Sequence, residues 1–163
     1  MFRLFEIVTV LLVSIVMAMS LAHVLEYPGK LRLNRDAYFA VQTIYYPGFS
    51  IAGICEPLSI AVVLALLVAT PALSTKFWLV LVALVALIAM HVVFWLVTQP
   101  VNKYWLASEK IGATGARFFA VEATRGRAMP DWTSLRDRWE CSHLARAALC
   151  VTAFVALTID LTL

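Results

Sequence analysis

Residues 78–97 read WLVLVALVALIAMHVVFWLV, twenty positions with one strongly polar side chain, His91. A helix rising 1.5 Å per residue crosses about 30 Å of hydrocarbon in roughly 20 residues, so this segment has the length of one membrane span. Three further runs share its character, at 7–25, at 57–73 (beginning nearer 51) and at 141–163. None alternates at every second residue like a transmembrane barrel strand, and each is about twice that strand's length. Helices satisfy their own backbone hydrogen bonds, as the bilayer interior requires. The expected fold is therefore all-α, an antiparallel four-helix transmembrane bundle forming one integral membrane domain over 1–163. Its helices are expected near 5–26, 51–74, 76–98 and 137–162, with a long connection between the third and the fourth.

Composition points the same way: 63% of the residues are hydrophobic and the mean hydropathy is +0.88, outside the range of soluble domains. Arg3 ahead of the first run suggests a signal peptide. That run is long for one and ends in polar His23 and Glu26, so it reads as a retained helix. The three cysteines make no disulfide framework; Cys150, deep in the last run, reads as a small buried hydrophobe. The net charge of +3 suits anionic lipid headgroups rather than nucleic acid.

The connections carry the punctuation. Residues 26–50 hold Pro28-Gly29 and Pro47-Gly48, two turn signals. Residues 70–76 form a tight turn, and 98–138 is long enough to hold surface helices or a cover over a site, with 117–121 as an amphipathic segment. Pro100 is expected to end the third helix. Asn102 then caps a following helix or faces a site, and Ser134 is a cap for the fourth. Gly48 and Gly53 allow close backbone approach at the entry to the second helix. Lys30, Arg32, Arg35, Lys103, Lys110, Arg117, Arg125, Arg127, Arg136 and Arg138 fall in the first and third connections, against Arg3 and Lys76 on the other side. The positive-inside rule places those connections in the cytoplasm and both termini outside, in a bacterial inner membrane.

Reversing spans would bring one set of helix ends together, and these ends hold His23, Glu26, Glu56, His91, His143 and Arg146; the opposite half is almost wholly apolar apart from Ser, Thr and Asp160. An arginine inside a span needs a partner, for which Glu56 comes first and Glu26 second. His91 shares a helix face with Trp95 and Thr98, and His143 with Trp139 and Cys150. Four uses of this cluster are open. His23, His91 and His143 could ligate a transition metal. His91 and His143 could hold a haem between facing helices. A histidine could act as general base while Arg146 and an amide donor stabilise an anionic substrate. Or the cluster merely joins the helices of a noncatalytic membrane subunit or small-molecule binder. Tyr45, Trp95 and Trp139 would line a pocket for a lipophilic ring system. Tyr45, Tyr46, Tyr104, Trp105, Trp132 and Trp139 otherwise read as an interfacial aromatic belt.

The segments EYPGKLRL (26–33), IYYPGF (44–49) followed by Glu56-Pro57, TQPVNKYW (98–105) and RWECSHLARA (138–147) resemble the anthrone-oxygenase-like family of small four-helix integral membrane proteins, many of whose bacterial members are known only as a domain of unknown function. The most distinctive parts are Thr98, Pro100 and Asn102 and then Arg138, Trp139, His143 and Arg146. The resemblance implies a role for Asn102, Trp139, His143 and Arg146, with Glu56 beside them. It also implies oxygenation of a lipophilic aromatic or quinone-like molecule at an activated methylene, without a flavin or metal motif. On that reading His143 is the base, Arg146 or Asn102 stabilises the oxyanion, and molecular oxygen attacks the carbanion.

Overall fold

The computed structural model of the chain describes residues 2–106, 117 and 131–163. Helix α1 runs Phe2–Lys30 and α2 Arg35–Gln42, followed by a 3-10 turn at Thr43–Tyr45. Helix α3 is Gly48–Ala52, α4 Cys55–Ala69 and α5 Thr75–Val93. A π-helical turn, Phe94–Thr98, joins α5 to α6, Gln99–Trp105. Helix α7 is Trp132–Thr162. Four stretches are long and apolar enough to cross a membrane: Phe2–Lys30, Gly48–Ala69, Thr75–Trp105 and Trp132–Thr162. The described part is an all-α bundle of an integral membrane protein.

Each span buries a stripe at helical spacing. In α1 it is Glu6, Thr9, Val13, Val16, Ser20, His23 and Lys30; in α4 it is Glu56, Ser59, Val63 and Leu66. Steps of three and four keep such residues on one face. Helix α1 packs on α4 and α7, and α5 packs on the same two, so the stripes meet around one core of Val13, Val63, Val80, Leu87, Met90 and Ala153. Lipid chains are as apolar as these side chains, so close packing rather than water exclusion holds them, and small residues such as Ala83, Ala86, Ala153 and Ala156 let the helices approach.

Several boundaries depart from the expectations above, each for a local reason. Pro28-Gly29 makes no turn; α1 continues through it and carries Lys30 inside. Pro47 and Gly48 lead into α3 rather than a bare loop. A Cβ on Gly53 would lie 3.2 Å from the Phe49 carbonyl oxygen, a tight contact between α3 and α4 that glycine avoids, while Gly48 has open space around it. Pro100 does not end the third span. The π turn widens the helix ahead of it, and the Leu96 carbonyl, four residues before the proline, is taken by Arg138 Nη2 at 3.2 Å. Asp131, not Ser134, caps α7: its carboxylate accepts from the Ser134 backbone N–H at 3.0 Å. Ser74 caps α5 by accepting from Phe77 N–H at 3.1 Å. Apart from Arg117, the segment 117–121 lies outside the described residues.

The end away from the histidines is more charged than its apolar appearance suggests. Glu6 is buried and takes Lys76 Nζ at 2.8 Å, Asp160 is buried near the end of α7, and Arg3 donates to the Leu161 carbonyl. These contacts join the start of the first span, the start of the third and the end of the fourth.

Candidate functional site

Where Glu56, His91 and Arg146 approach one another, the spans enclose a cavity of about 820 Å³. The second span opens with Glu56 in the first turn of α4, where the helix dipole favours an acidic side chain. The π turn and α6 keep His91, Trp95, Thr98 and Asn102 on the cavity side of the third span. From α7 come Trp139, His143 and Arg146, spaced by four and three, and from α1 come Ser20 and His23. Tyr45 closes the floor from the 3-10 turn. Ile51, Ile54 and Trp95 also line the cavity yet are 64%, 66% and 47% exposed, so it opens through the flank between the second and third spans.

The centre is a chain of polar contacts across three spans. Glu56 pairs with Arg146, and its other oxygen lies 3.4 Å from His91 Nδ1. Trp95 Nε1 donates to His91 Nε2 at 2.9 Å. Those partners set the tautomer, placing the hydrogen on Nδ1 and the lone pair on Nε2. Arg146 Nη1 lies 3.5 Å from His143 Nδ1. A guanidinium has only hydrogens to offer, so the lone pair of His143 faces it and the hydrogen is on Nε2, which is buried and has no partner.

Beside this chain lies an aromatic stack. The rings of His23 and His143 are 3.9 Å apart between centroids, and Trp139 is 4.1 Å from His143. Tyr45 is 4.6 Å from His23. Trp139 is fixed by its Nε1 donating to Asn102 Oδ1 at 2.8 Å, while Asn102 Nδ2 donates to Gln99 at 3.2 Å. Asn102 lies within α6 and caps no helix. Trp105, Trp139 and Tyr45 are buried in an inner cluster with Tyr38, Val101 and Leu135, which removes them from the expected interfacial belt.

Sequence reading missed the layer below. Lys30, 3% exposed, sits 4.9 Å from the centroids of both Tyr45 and Trp139. It pairs with Glu26 at 3.1 Å and with buried Glu140 at 3.7 Å. Tyr38 donates to Glu140 at 2.9 Å and Tyr45 donates to Glu26. Burial first, and the neighbouring carboxylates next, push both phenols well above their ordinary range, so they remain hydrogen-bond donors. Lys30 looked like a loop charge. Its spacing of seven from His23 was the available signal, as was the spacing of three between Glu140 and His143. Thr98 and Ser142 hydroxyls also meet, at 2.9 Å.

The metal and haem expectations fare differently from the pocket. His23 and His143 stack while His91 turns to Glu56. Among the described residues no group of three or more His, Cys, Asp or Glu side chains is placed to hold a metal ion. His91 has both ring nitrogens engaged, so ligating a haem iron would require one of those bonds to open.

A family profile described as anthrone oxygenase matches residues 42–156, well over half of the chain and every cavity residue named above except those of α1. Neither the curated proteins nor the solved structures contain a match.

Proposed function

The chain belongs to the anthrone oxygenase family, and on that premise we propose that it is a membrane oxygenase acting on a lipophilic ring compound with an activated methylene, or on a quinone-like relative. The proposal includes an antiparallel arrangement of the spans, with both termini outside and the first and third connections cytoplasmic, as the charge distribution favours. The observation that carries the reading is Glu56, whose carboxylate bridges His91 and Arg146 at the wall of an apolar-mouthed cavity.

In the proposed reaction, substrate entering past Trp95 displaces its indole from His91 Nε2, and that nitrogen takes a methylene proton. Glu56, opposite Nδ1, orients the ring and compensates the charge that forms. The geometry favours His91 for this step over His143, because a proton added to His143 would place a second cation beside Arg146. His143 instead offers its Nε2 hydrogen, with the Arg146 guanidinium, to the oxygen that becomes an enolate. The carbanion carbon then bonds to dioxygen. The resulting peroxide takes back a proton and loses water, leaving a carbonyl; one oxygen atom ends in the product and one in water, and the substrate supplies all four electrons. Asn102 acts as a positioning residue by holding Trp139.

Oxygen uptake by the purified protein in lipid nanodiscs, with anthrone as substrate and the quinone as product, tests the proposal. Uptake that disappears in His91→Gln supports it. Binding of anthrone without uptake by the unaltered protein assigns it instead as a carrier or binding protein.

A further inference from the structure

Glu56 is not alone in lying against both Arg146 and His91. Phe94, one turn beyond His91, does so through its ring. The guanidinium carbon of Arg146 lies over that ring, 5.1 Å from its centroid. The His91 imidazole stacks with it at 6.2 Å between centroids and 19° between planes, and Trp95 meets it edge to face at 5.3 Å and 79°. Phe94 opens the π turn of the third span and lines the cavity, and such turns recur at functional sites.

A benzene ring carries a quadrupole, negative on its face, that attracts a cation held over it. Arg146 is a cation inside a span, where charge is costly until it is compensated. Its Nη2 reaches Glu56 and its Nη1 lies 3.5 Å from His143 Nδ1, but among the described residues its buried Nε has no hydrogen-bond acceptor. The Phe94 face adds attraction that a leucine of similar size would not supply. The same ring bears on His91, because residues 91 and 94 are neighbours on one helical face. When His91 gains a proton in the proposed reaction, a second cation stands beside the ring, and the Glu56 carboxylate holds one negative charge between the two. The ring face offsets part of that excess, and it does so without reorganising.

We propose that Phe94 is a positioning residue for the proposed reaction: its π face holds the Arg146 guanidinium against Glu56 and stabilises the imidazolium that forms on His91. This deepens the oxygenase reading and rests on it.

The test replaces Phe94, in the full chain in nanodiscs, with phenylalanines bearing one, two or three ring fluorines. Each fluorine draws charge from the face and leaves the shape of the ring almost unchanged, so a response graded by fluorine number reports electrostatics rather than packing. With anthrone as substrate, kcat for oxygen uptake is expected to fall stepwise, by about ten-fold in all at three fluorines, the scale of a desolvated cation–π contact. KM is expected to stay within about two-fold, as for an interaction that strengthens only as the reaction proceeds. Phe94→Leu is expected to lose at least as much kcat as the trifluorinated ring. A kcat indifferent to fluorine number overturns the proposal and leaves the oxygenase reading standing, and so does a Phe94→Leu variant that keeps full kcat. If the unaltered protein takes up no oxygen with anthrone, the oxygenase reading fails and the role of Phe94 fails with it.

Discussion

Arg138 donates from Nη2 to the Leu96 carbonyl at 3.2 Å, and Leu96 is the residue whose carbonyl an ordinary helical N–H at position 100 would take. Proline at 100 has no such hydrogen. An arginine from the fourth span thus supplies what the third lacks, just where the third widens into its π turn. Proline inside a span is tolerated when a neighbouring helix satisfies the freed carbonyl, and here that neighbour also brings Trp139, His143 and Arg146 to the cavity.

Removing the donor should therefore matter only while the proline is present. Arg138→Leu is expected to destabilise the protein by about 1 kcal/mol, and to cost clearly less in a Pro100→Ala background, where a backbone N–H returns. A double-mutant cycle on thermal unfolding in detergent measures the coupling; additive effects would show that Arg138 does not support the bend.

Glu56, His91 and His143 should separate kinetically. Glu56→Gln and His91→Gln are expected to lower kcat for oxygen uptake by roughly 10² to 10⁴, the usual range for loss of a general base or its partner. His143→Ala is expected to cost roughly 10² to 10³, and His143→Asn, which still carries N–H groups, less than that. If His143→Asn is as inactive as His91→Gln, then His143 is a proton acceptor and the two roles must be exchanged.

Lys30 and Glu140 are both nearly inaccessible, 3% and 1% exposed, so neither tolerates loss of the other. Lys30→Met should destabilise the fold by about 3 to 5 kcal/mol, since it leaves the buried Glu140 carboxylate uncompensated. Combining it with Glu140→Gln should restore much of that loss. Unfolding midpoints of the two single variants and the double variant decide the matter; a double variant no more stable than Lys30→Met would contradict the pairing.

Acid should loosen the start of α7. Hydrogen bonds from the Thr133 hydroxyl, then from the Ser134 backbone and hydroxyl, hold the Asp131 carboxyl down from 3.8 to about 2. A group depressed by folding stabilises the fold above its unfolded value and ceases to do so as pH falls through its folded value. Amide exchange at 133–135 should therefore be indifferent to pH between neutrality and about 4, apart from the intrinsic chemical rate, and gain an additional opening component between about 4 and 2. Asp131→Asn should remove that component.

Length and polarity made the four spans legible: a run such as 78–97 admits few readings. The grouping of His23, Glu56, His91, His143 and Arg146 around one cavity was legible as well, because polar residues in apolar helices stand out. The roles inside the group were not. That His91 faces a carboxylate while His143 faces a guanidinium depends on side-chain direction across helices, which spacing along one helix does not specify. Lys30 was hidden for another reason. A Pro-Gly pair ordinarily announces a turn, and only tertiary packing carries α1 one step further and turns an apparent loop cation inward. Trp105 read as one ring of an interfacial belt, and only tertiary packing shows it buried in the inner cluster.

On the proposed oxygenase reading, the exposed cavity residues Ile51, Ile54 and Trp95 change what substrate concentration means for this protein. A ring compound that reaches His91 through the flank of the bundle travels in hydrocarbon, so what governs its encounter rate is its ratio to lipid molecules rather than its molarity in buffer. Diluting a fixed amount of substrate with empty membrane would then slow the proposed reaction, while adding water would leave it nearly unaffected.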